Sequence, residues 1–416
     1  MVIKEGRGIF AIDMKKKVAI IGGGAAGFFC AANLGEMSED VEITILEQGK
    51  EFLSKVRVSG GGRCNVTNVC DEPRELIKNY PRGGRELLGP FHKFATADTR
   101  WWFEARGVAL KEEEDGRIFP VSDDSADIVN CLLKVAKSNG VRCLTHQKVT
   151  SLKPAGSGFK LQVSGEEVFF DFVVLACGSS KYMNDMISDL GIDIVPPLPS
   201  LFTFNCKDRR LRDLAGISVP NVEVSIEGVT DDQSGPILIT HQGFSGPAIL
   251  KMSAFGARSL ASSSYKFEVK IDWLPAWSGD QIISRLRAEG KRKVLGKYDF
   301  LPNRLWVQLL EPVITDPEMT NASLNKTQLE SLVSALKNSS FSINGKATFK
   351  EEFVTAGGID LREMDFRTFG LRKYPGMYAA GEILDIDGVT GGFNFQNAWT
   401  GAYLIAKDIA EKAGSI

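Results

Sequence analysis

The sequence lacks the features that mark several classes of protein. It holds seven scattered cysteines without a C-x-x-C pair, which indicates neither a disulfide framework nor a zinc site. It has only three histidines, too few for a histidine-rich metal centre. No apolar run approaches the roughly 20 residues of a membrane span, and no signal-peptide pattern opens the chain. We therefore expect a cytoplasmic protein with no metal site and no membrane segment.

The chain also has no excess of charge of either sign. Its 50 lysines and arginines nearly balance 52 aspartates and glutamates, so the formal net charge is −2. This balance excludes the overall basic character of many nucleic-acid-binding proteins and leaves only local basic patches. At 416 residues the chain is long enough for roughly two or three domains.

A glycine-rich turn between an apolar strand and a helix is the clearest motif near the N-terminus. Gly22, Gly24 and Gly27 hold the G-x-G-x-x-G spacing. Glycines at this spacing permit a tight turn, close approach of the backbone to a pyrophosphate, and packing of the helix on the strand. The next apolar run predicts a parallel strand ending in Glu47, which is placed to accept ribose hydroxyls. The pattern favours a dinucleotide site over a purely structural glycine corner.

The proline run 196–199 marks the clearest domain boundary, because consecutive prolines are stiff and extended. Alternating strand patterns follow it, then helical patterns, and later strands that end in glycine return. The expected parts are a nucleotide-binding domain over 15–195, an inserted region over 196–345 (barrel-like strands about 196–275, helices about 276–345), and a second part of the nucleotide-binding domain over 346–416.

Four elements marked by glycine are expected to converge on one ligand. They are 22–27 with Glu47, the loop 59–68, the strand end 175–178, and the pair of segments 378–382 and 391–396. A single dinucleotide that touches all four is long, so FAD fits better than NAD. The sequence contains no second G-x-G-x-x-G motif for a nicotinamide cofactor.

These motifs, with Gly116–Pro120 and Thr240–Leu250 in the same order, resemble the two-dinucleotide-fold flavoproteins. Within that group they are similar to the BaiN/YhiN-like family, often labelled the aminoacetone oxidase family, over nearly the whole chain. The resemblance implies an α/β fold, with a Rossmann-like FAD domain split by an inserted β-rich and helical substrate region. It implies FAD, which we expect to be bound noncovalently, and leaves NAD(P)H open as a diffusible electron donor.

The resemblance also implies which residues hold the cofactor. Val149 is expected to meet the adenine through its backbone. Gly381-Glu382 stands where such flavoproteins usually have Gly-Asp, so we expect the ribityl or phosphate contact from Glu382 or from Asp385. The full expected set is Gly22, Gly24, Ala25, Ala26, Gly27, Glu47, Gln48, Ser59, Gly60, Gly61, Arg63, Asn65, Val149, Gly178, Gly381, Glu382, Asp385, Gly391, Gly392, Phe393 and Asn394.

The start of the last predicted helix, at Gly391 and Gly392, is expected to face the reactive end of the flavin. Backbone N–H groups and the helix dipole there would stabilise negative charge on the flavin pyrimidine ring, whereas an ordinary turn is the alternative. Three residues are candidates for catalysis. Arg63 would fix flavin or substrate oxygens, Cys64 has either a structural or a chemical role, and His241 is either a proton donor or a turn residue.

The expected function is an FAD-dependent oxidoreductase that moves a hydride between flavin N5 and an organic substrate. The family implies reduction of an activated C=C bond, in a steroid-like molecule or in uridine of ribosomal RNA, or amine oxidation, and we favour C=C reduction. For an RNA substrate, the basic clusters 209–212 and 291–293 are candidate contacts, with plain solvated charges as the alternative. A different class, a non-catalytic flavin-binding redox sensor or partner-binding module, is also considered. The sequence carries no signal for a particular oligomeric state.

Overall fold

The structure, a computed structural model, describes residues 15–347 and 354–414. Its first part contains, in chain order, β1 (Lys16–Ile21), α1 (Ala25–Met37), β2 (Val41–Leu46), α2 (Ser54–Val58), β3 (Thr67–Asn68), α3 (Pro73–Leu76), α4 (Gly84–Phe91), α5 (Thr96–Glu104), β4 (Leu110–Glu112), β5 (Arg117–Pro120), α6 (Ala126–Ser138), β6 (Arg142–Leu144), β7 (Val149–Ala155), β8 (Gly158–Val163), β9 (Glu166–Phe170), β10 (Phe172–Leu175), α7 (Lys181–Asp189) and β11 (Ile194–Pro199).

The middle part follows with β12 (Thr203–Cys206), β13 (Ser218–Ser225), β14 (Gln233–Thr240), β15 (Gly243–Ser245), α8 (Pro247–Phe255), α9 (Ala257–Ser262), β16 (Lys266–Asp272), α10 (Gly279–Ala288), α11 (Asn303–Leu310), α12 (Lys326–Lys337) and β17 (Ser339–Ala347). The last part contains β18 (Thr355–Ile359), β19 (Met364–Asp365), β20 (Gly370–Leu371), β21 (Met377–Ala379) and α13 (Phe393–Ala413).

A central sheet joins the first and last parts in the order β19-β20-β21-β10-β1-β2-β6. The strands from β21 to β6 are parallel, and Ile21 pairs with both Leu175 and Leu46, so the carboxyl ends of β10, β1 and β2 lie side by side. β1 and β10 are almost wholly apolar because helices and a small sheet cover both faces. Helix α1 packs along α13, where Phe29 contacts Trp102 and Trp399. This sheet edge is where an open α/β fold binds its ligand.

The middle part forms a closed antiparallel barrel in the order β12-β15-β14-β13-β16-β17. It has its own hydrophobic core, which contains Phe204, Phe244 and Trp273 and is separate from the core under the central sheet. Helices α10 to α12 are inserted between β16 and β17. The sequence therefore misplaces β17, because residues 339–345 lie in the range predicted to be helical. The serines and the asparagine of this segment alternate with buried apolar residues, as in a strand. The helical pattern directly before the segment makes this alternation hard to recognise in the sequence.

Two segments connect the barrel to the FAD-type domain, and they pair with each other. β11 and β18 form an antiparallel ribbon whose register shifts between Val195 and Leu198, at the prolines. A two-stranded ribbon has no central strand, so prolines are tolerated in it. Beside the ribbon, Asp387 is completely buried and accepts hydrogen bonds from both Arg82 and the hydroxyl of Ser200. This buried ion pair fixes the junction between the two domains.

Candidate functional site

The glycine turn after β1 is constrained by the fold at two of its three motif positions. Gly22 has φ +113°, and a Cβ there would lie 2.4 Å from the carbonyl oxygen of Ala176. A Cβ at Gly27 would lie 2.0 Å from the carbonyl oxygen of Gly22. Gly24 differs, because a Cβ there would meet nothing within 4 Å. The turn thus leaves open space beside Gly24, at the N-cap of α1.

The first turn of α1 has unused hydrogen-bond donors. Within the residues that the structure describes, the N–H groups of Gly24, Ala25, Ala26 and Gly27 have no acceptor, and the first turn contains no acidic side chain. Free N–H groups and the helix dipole at a helix N-terminus favour an anion. The open space and these donors fit a pyrophosphate.

Glu47, at the end of β2, is bonded to the glycine turn itself. Its Oε2 accepts from the N–H of Gly23 at 2.8 Å, and its Oε1 accepts from the N–H of Gly49 at 2.6 Å. Gln48 between them is exposed. Each carboxylate oxygen has a further lone pair, so Glu47 can hold the turn in place and still accept from ribose hydroxyls. The N–H of Gln147 also donates to the carbonyl of Glu47, which places the chain leading to the buried Val149 beside this end of the site.

The N-terminus of α13 packs on the loop that follows α2. A Cβ at Gly392, where φ is +89°, would lie 2.5 Å from the carbonyl oxygen of Thr67, and the carbonyl of Gly391 accepts from Asn68. With its amide oxygen facing α13, Asn65 accepts from the N–H of Gly392 at 2.8 Å. In that orientation the N–H of Gly392 is bonded to Asn65, and the prediction that it faces the flavin stays a prediction. The next three N–H groups, of residues 393–395, have no acceptor among the described residues and remain available.

Phe393 and Asn394 have structural contacts. The carbonyl of Phe393, a buried residue, accepts from the hydroxyl of Tyr80 at 2.7 Å. The side chain of Asn394 both donates to the carbonyl and accepts from the N–H of Gly388, at 2.8 and 2.9 Å. These contacts anchor the start of α13 and leave its backbone, not these side chains, to meet a cofactor.

The loop from Ser59 to Asn68 begins with one turn of 3₁₀-helix. Gly60 and Gly61 are exposed and have positive φ, and the hydroxyl of Ser59 donates to the carbonyl of Val56 at 2.8 Å. Arg63 follows, and its guanidinium lies 4.0 Å from the ring centroid of Phe119. The exposed glycines leave this loop open to a ligand.

A pair of carboxylates holds Arg63. Its Nη1 donates to Glu113 at 2.6 Å and lies 3.4 Å from Asp123. The hydrogen bond to Glu113 raises the pKa of Arg63, so its charge is permanent. Both contacts use one nitrogen of the guanidinium, and the other N–H groups have no acceptor in the described parts of the chain.

Cys64 is completely buried with φ +61°. Burial raises the pKa of its thiol to about 12, against a smaller opposite effect of a hydrogen bond with Ser59. A thiol in this state is not a nucleophile at neutral pH. The structure therefore contradicts the chemical role considered for Cys64 and favours the structural one.

At the carboxyl end of β10, Gly178 has φ +62° and lies against an ion pair from two other segments. Lys55 Nζ lies 2.5 Å from Glu382 Oε2, and a Cβ at Gly178 would lie 3.7 and 3.6 Å from these two atoms. Gly381, next to Glu382, comes within 3.5 Å of the Cβ of Ala26 by the same construction. Four segments therefore converge at the carboxyl edge of the central sheet, where the sequence predicts an elongated dinucleotide.

Comparison with known proteins agrees with this geometry. Residues 16–408 match the family model described as "HI0933-like protein Rossmann domain". The chain belongs to this HI0933-like family of FAD-binding flavoprotein oxidoreductases. The predicted family, fold class and enzyme class are thus confirmed.

Two curated members of known name align with nearly the whole chain. The ribosomal RNA dihydrouridine synthase of Escherichia coli (strain K12) is 30% identical over 410 residues, which cover 94% of this chain and 97% of that protein. The 3-dehydro-bile acid delta(4,6)-reductase of Clostridium scindens (strain ATCC 35704 / DSM 5676 / VPI 13733 / 19) is 28% identical over 411 residues, covering 95% and 99%.

A solved structure shows the same fold. The 3-ketosteroid-delta4-(5alpha)-dehydrogenase from Rhodococcus jostii RHA1, in complex with 4-androstene-3,17-dione, matches with a TM-score of 0.50 and 15% identity, covering 96% of this chain and 98% of that one. In the described part of our HI0933-like chain, no helix is long and apolar enough to span a membrane. No group of three or more potential metal ligands occurs there either.

Two predicted site residues of this HI0933-like protein have contacts outside the glycine turn. Asp385 accepts at the domain junction, from the N–H of Gly357 at 2.8 Å and from Arg258 at 2.5 Å, and its contact with the cofactor stays a prediction. His241 is exposed in the tight turn between β14 and β15, beside Cys206 at the far end of β12. The structure thus shows His241 as a turn residue, and its role as a proton donor stays a prediction.

Two residues in the region were missed by sequence reasoning. Lys55 is an exposed lysine just before the glycine loop, and nothing in its local pattern distinguishes it from other surface lysines. Asn397 lies one helical turn after Phe393, is buried, and has a side-chain oxygen without a hydrogen-bond partner. The only feature of the sequence that could have indicated Asn397 as a site residue is its position in a helix that begins at two glycines.

Proposed function

We propose that this protein is an FAD-dependent reductase that saturates a C=C bond conjugated to a carbonyl group. The observation that carries the proposal is the full-length similarity to two relatives with different substrates in their names. Dihydrouridine is uridine with its ring C=C bond saturated, and a delta(4,6)-reductase of a 3-dehydro bile acid acts on C=C bonds conjugated to the 3-oxo group. The shared chemistry is the same addition of two hydrogens.

The residues of this chain supply binding and orientation for that reaction. FAD, when bound and reduced by the electron donor, would supply a hydride from its N5. The free N–H groups of α1 would hold the pyrophosphate, and Glu47 would accept from the adenosine ribose. The free N–H groups and dipole at the start of α13 would stabilise negative charge near the flavin pyrimidine ring.

Arg63 is the residue that we propose for the substrate. Addition of a hydride to a conjugated C=C bond develops negative charge on the carbonyl oxygen, which needs a hydrogen-bond donor. Arg63 is permanently charged, lies in the open glycine loop, and retains N–H groups beyond those bonded to Glu113 and Asp123. We do not assign proton transfer to Cys64, because its thiol is completely buried, and the structure adds no contact that would assign it to His241.

Three of the six basic residues in the candidate RNA contacts have carboxylate partners. Arg210, Arg292 and Lys293 form ion pairs with neighbouring carboxylates, at distances of at most 2.9 Å. An RNA phosphate would compete with these pairs for the same cations. The experiment described next therefore distinguishes ribosomal RNA from a small enone as the substrate. We propose NAD(P)H as the diffusible source of electrons, since reduction consumes a hydride in every turnover.

Anaerobic reoxidation of the reduced flavoprotein tests the proposal. The protein is reconstituted with FAD, reduced, and mixed with unmodified ribosomal RNA, with a 4-en-3-oxo steroid, or with oxygen, while flavin absorbance is followed. We expect one of the two C=C substrates to reoxidise the flavin and to gain two hydrogens by mass spectrometry. Failure of both refutes the proposal. Reduction of the oxidised flavin by aminoacetone would indicate amine oxidation instead, and inertness toward every organic compound would indicate a redox sensor.

Arg63→Ala and Arg117→Ala form a matched pair of variants for the same assay. Both guanidinium groups lie over Phe119 and pair with Glu113, but only Arg63 belongs to the glycine loop. We expect Arg63→Ala to slow reoxidation at least about 10-fold, the loss of one charge-assisted hydrogen bond, with FAD affinity retained. Arg117→Ala should react at nearly the rate of the unmodified protein. Equal rates in the two variants would exclude Arg63 from substrate binding.

A further inference from the structure

The ion pair between Lys55 and Glu382 lies across the path of the predicted cofactor. The two residues are 327 positions apart, on α2 and just after β21. Both charged atoms lie within 3.7 Å of the Cβ position of Gly178, at the sheet edge. The pair therefore bridges α2 and the segment after β21 beside Gly178, and the space next to it at the sheet edge is called the cleft below.

The two partners are held very differently. The Glu382 side chain is 21% exposed, and its second oxygen accepts from the N–H of Thr355 at 3.1 Å. The Lys55 side chain is 67% exposed and has no other partner among the described residues. Lysine is a compact charge on a flexible stem, whereas Glu382 is fixed by β18. Such an exposed pair contributes little to stability, so Lys55 can leave it at small cost.

The charges of the cleft would favour a cation once FAD is present. The pyrophosphate carries two negative charges, and the carboxylate of Glu382 lies next to Gly381, which approaches Ala26 in the first turn of α1. The N–H groups of that turn supply dipoles but no formal charge. Of the side chains that line this part of the cleft in the described structure, Lys55 is the cation in contact with Gly178 and Glu382.

We propose that Lys55 and Glu382 exchange partners when FAD binds. Lys55 turns from Glu382 to a pyrophosphate oxygen, and the freed oxygen of Glu382 accepts a hydrogen bond from a hydroxyl of the ribityl chain. While paired, the two residues neutralise each other, and they separate to meet the two parts of a ligand that carries both a pyrophosphate and a polyol. This inference rests on the proposed FAD site and adds a cofactor contact that the glycine motifs do not indicate.

A double-mutant cycle on FAD affinity tests the exchange. The apoprotein, Lys55→Gln, Glu382→Gln and the double variant are titrated with FAD by fluorescence at several NaCl concentrations. We expect Lys55→Gln to weaken binding by about 10- to 100-fold, the range for a charge-assisted hydrogen bond, and to reduce its dependence on salt. The loss should persist in the Glu382→Gln background, because Lys55 acts on the cofactor directly.

Control variants distinguish the exchange from a general loss of positive charge and from misfolding. Lys50→Gln removes a lysine of the same segment that is 80% exposed and, among the described residues, is paired only with Glu51, and this variant should bind FAD normally. Lys55→Arg keeps the charge and should keep most of the affinity. Thermal melting of the apoproteins checks that each variant folds.

Three results would overturn the inference. If Lys55→Gln weakens FAD binding in the unmodified background but not in the Glu382→Gln background, Lys55 acts only through its ion pair with Glu382. If Lys55→Gln leaves FAD affinity unchanged, Lys55 does not contact the cofactor. Failure of the unmodified protein to bind FAD would instead refute the proposed cofactor, and the exchange with it.

Discussion

Replacement of Gly24 by alanine should affect FAD binding without affecting the stability of the fold. Gly24 has φ −93° and ψ −165°, an extended conformation that alanine adopts, and its Cβ would meet nothing within 4 Å. We therefore expect the free energy of unfolding of the apoprotein to change by less than about 0.5 kcal/mol. The added methyl group would instead occupy the open space where the backbone of α1 is free to approach a phosphate.

The effect on FAD should be large by comparison. Displacing the pyrophosphate from the α1 donors costs at least one charge-assisted hydrogen bond, about 1.5–3 kcal/mol, which corresponds to about 10- to 100-fold in affinity. Chemical denaturation of the apoprotein and fluorescence titration with FAD measure the two quantities independently. The prediction is a wild-type fold with impaired binding.

Two other glycines provide the controls. Gly89, in α4, also has a Cβ position that meets no described atom within 4 Å apart from its chain neighbours, and Gly89→Ala should leave FAD affinity unchanged. Because Pro90 follows, a Cβ at position 89 should cost stability in the helical conformation instead. Gly27→Ala, unlike Gly24→Ala, should destabilise the apoprotein itself, because its Cβ would lie 2.0 Å from the carbonyl oxygen of Gly22. If Gly24→Ala binds FAD as tightly as the unmodified protein, the pyrophosphate does not lie on this turn.

Two further predictions follow from burial. Because burial raises the pKa of the Cys64 thiol to about 12, this thiol should not be alkylated by iodoacetamide at pH 8 in the native protein, but it should react once the chain is unfolded. Peptide mass spectrometry measures both outcomes, and rapid alkylation of the native protein would restore a chemical role for Cys64. Arg82→Ala should lower the free energy of unfolding by about 3–5 kcal/mol in urea, because it leaves Asp387 charged and unpaired in the interior. The exposed pair of Arg362 with Asp360 is the control, since Arg362→Ala should cost less than about 1 kcal/mol, and equal losses would contradict the reasoning.

The parts of the fold that follow from local pattern were predictable. The strand, glycine turn and helix around Gly22 and Gly27 are determined by residues adjacent in sequence, and the structure shows the close backbone approaches that these glycines permit. Glu47 was predicted from its place at the end of the next strand, but its bonds to Gly23 and Gly49 were not. Local spacing indicates where a carboxylate lies, whereas its partners depend on how two loops fold back on each other.

The parts that depend on distant packing were not predictable. β17 closes the barrel only because β12 and β16 lie beside it, and its own residues read as a continuation of the preceding helix. Lys55 gains its position from a carboxylate 327 residues away. The cofactor assignments of the individual residues stay predictions, and the titrations of the Gly24 and Lys55 variants are their direct tests.

The segment after β21 shows why the two carboxylates considered for the cofactor contact differ in their surroundings. Glu382 faces the cleft, where it meets Lys55, but Asp385, three residues later, is bonded to Gly357 and to Arg258 of the barrel domain. Asp387 is then buried against the linker. One short irregular segment thus has a cofactor side and a junction side, and no sequence period distinguishes them. Because the same segment continues into the glycines before α13, the buried carboxylates at the junction hold in place the backbone that would meet the flavin.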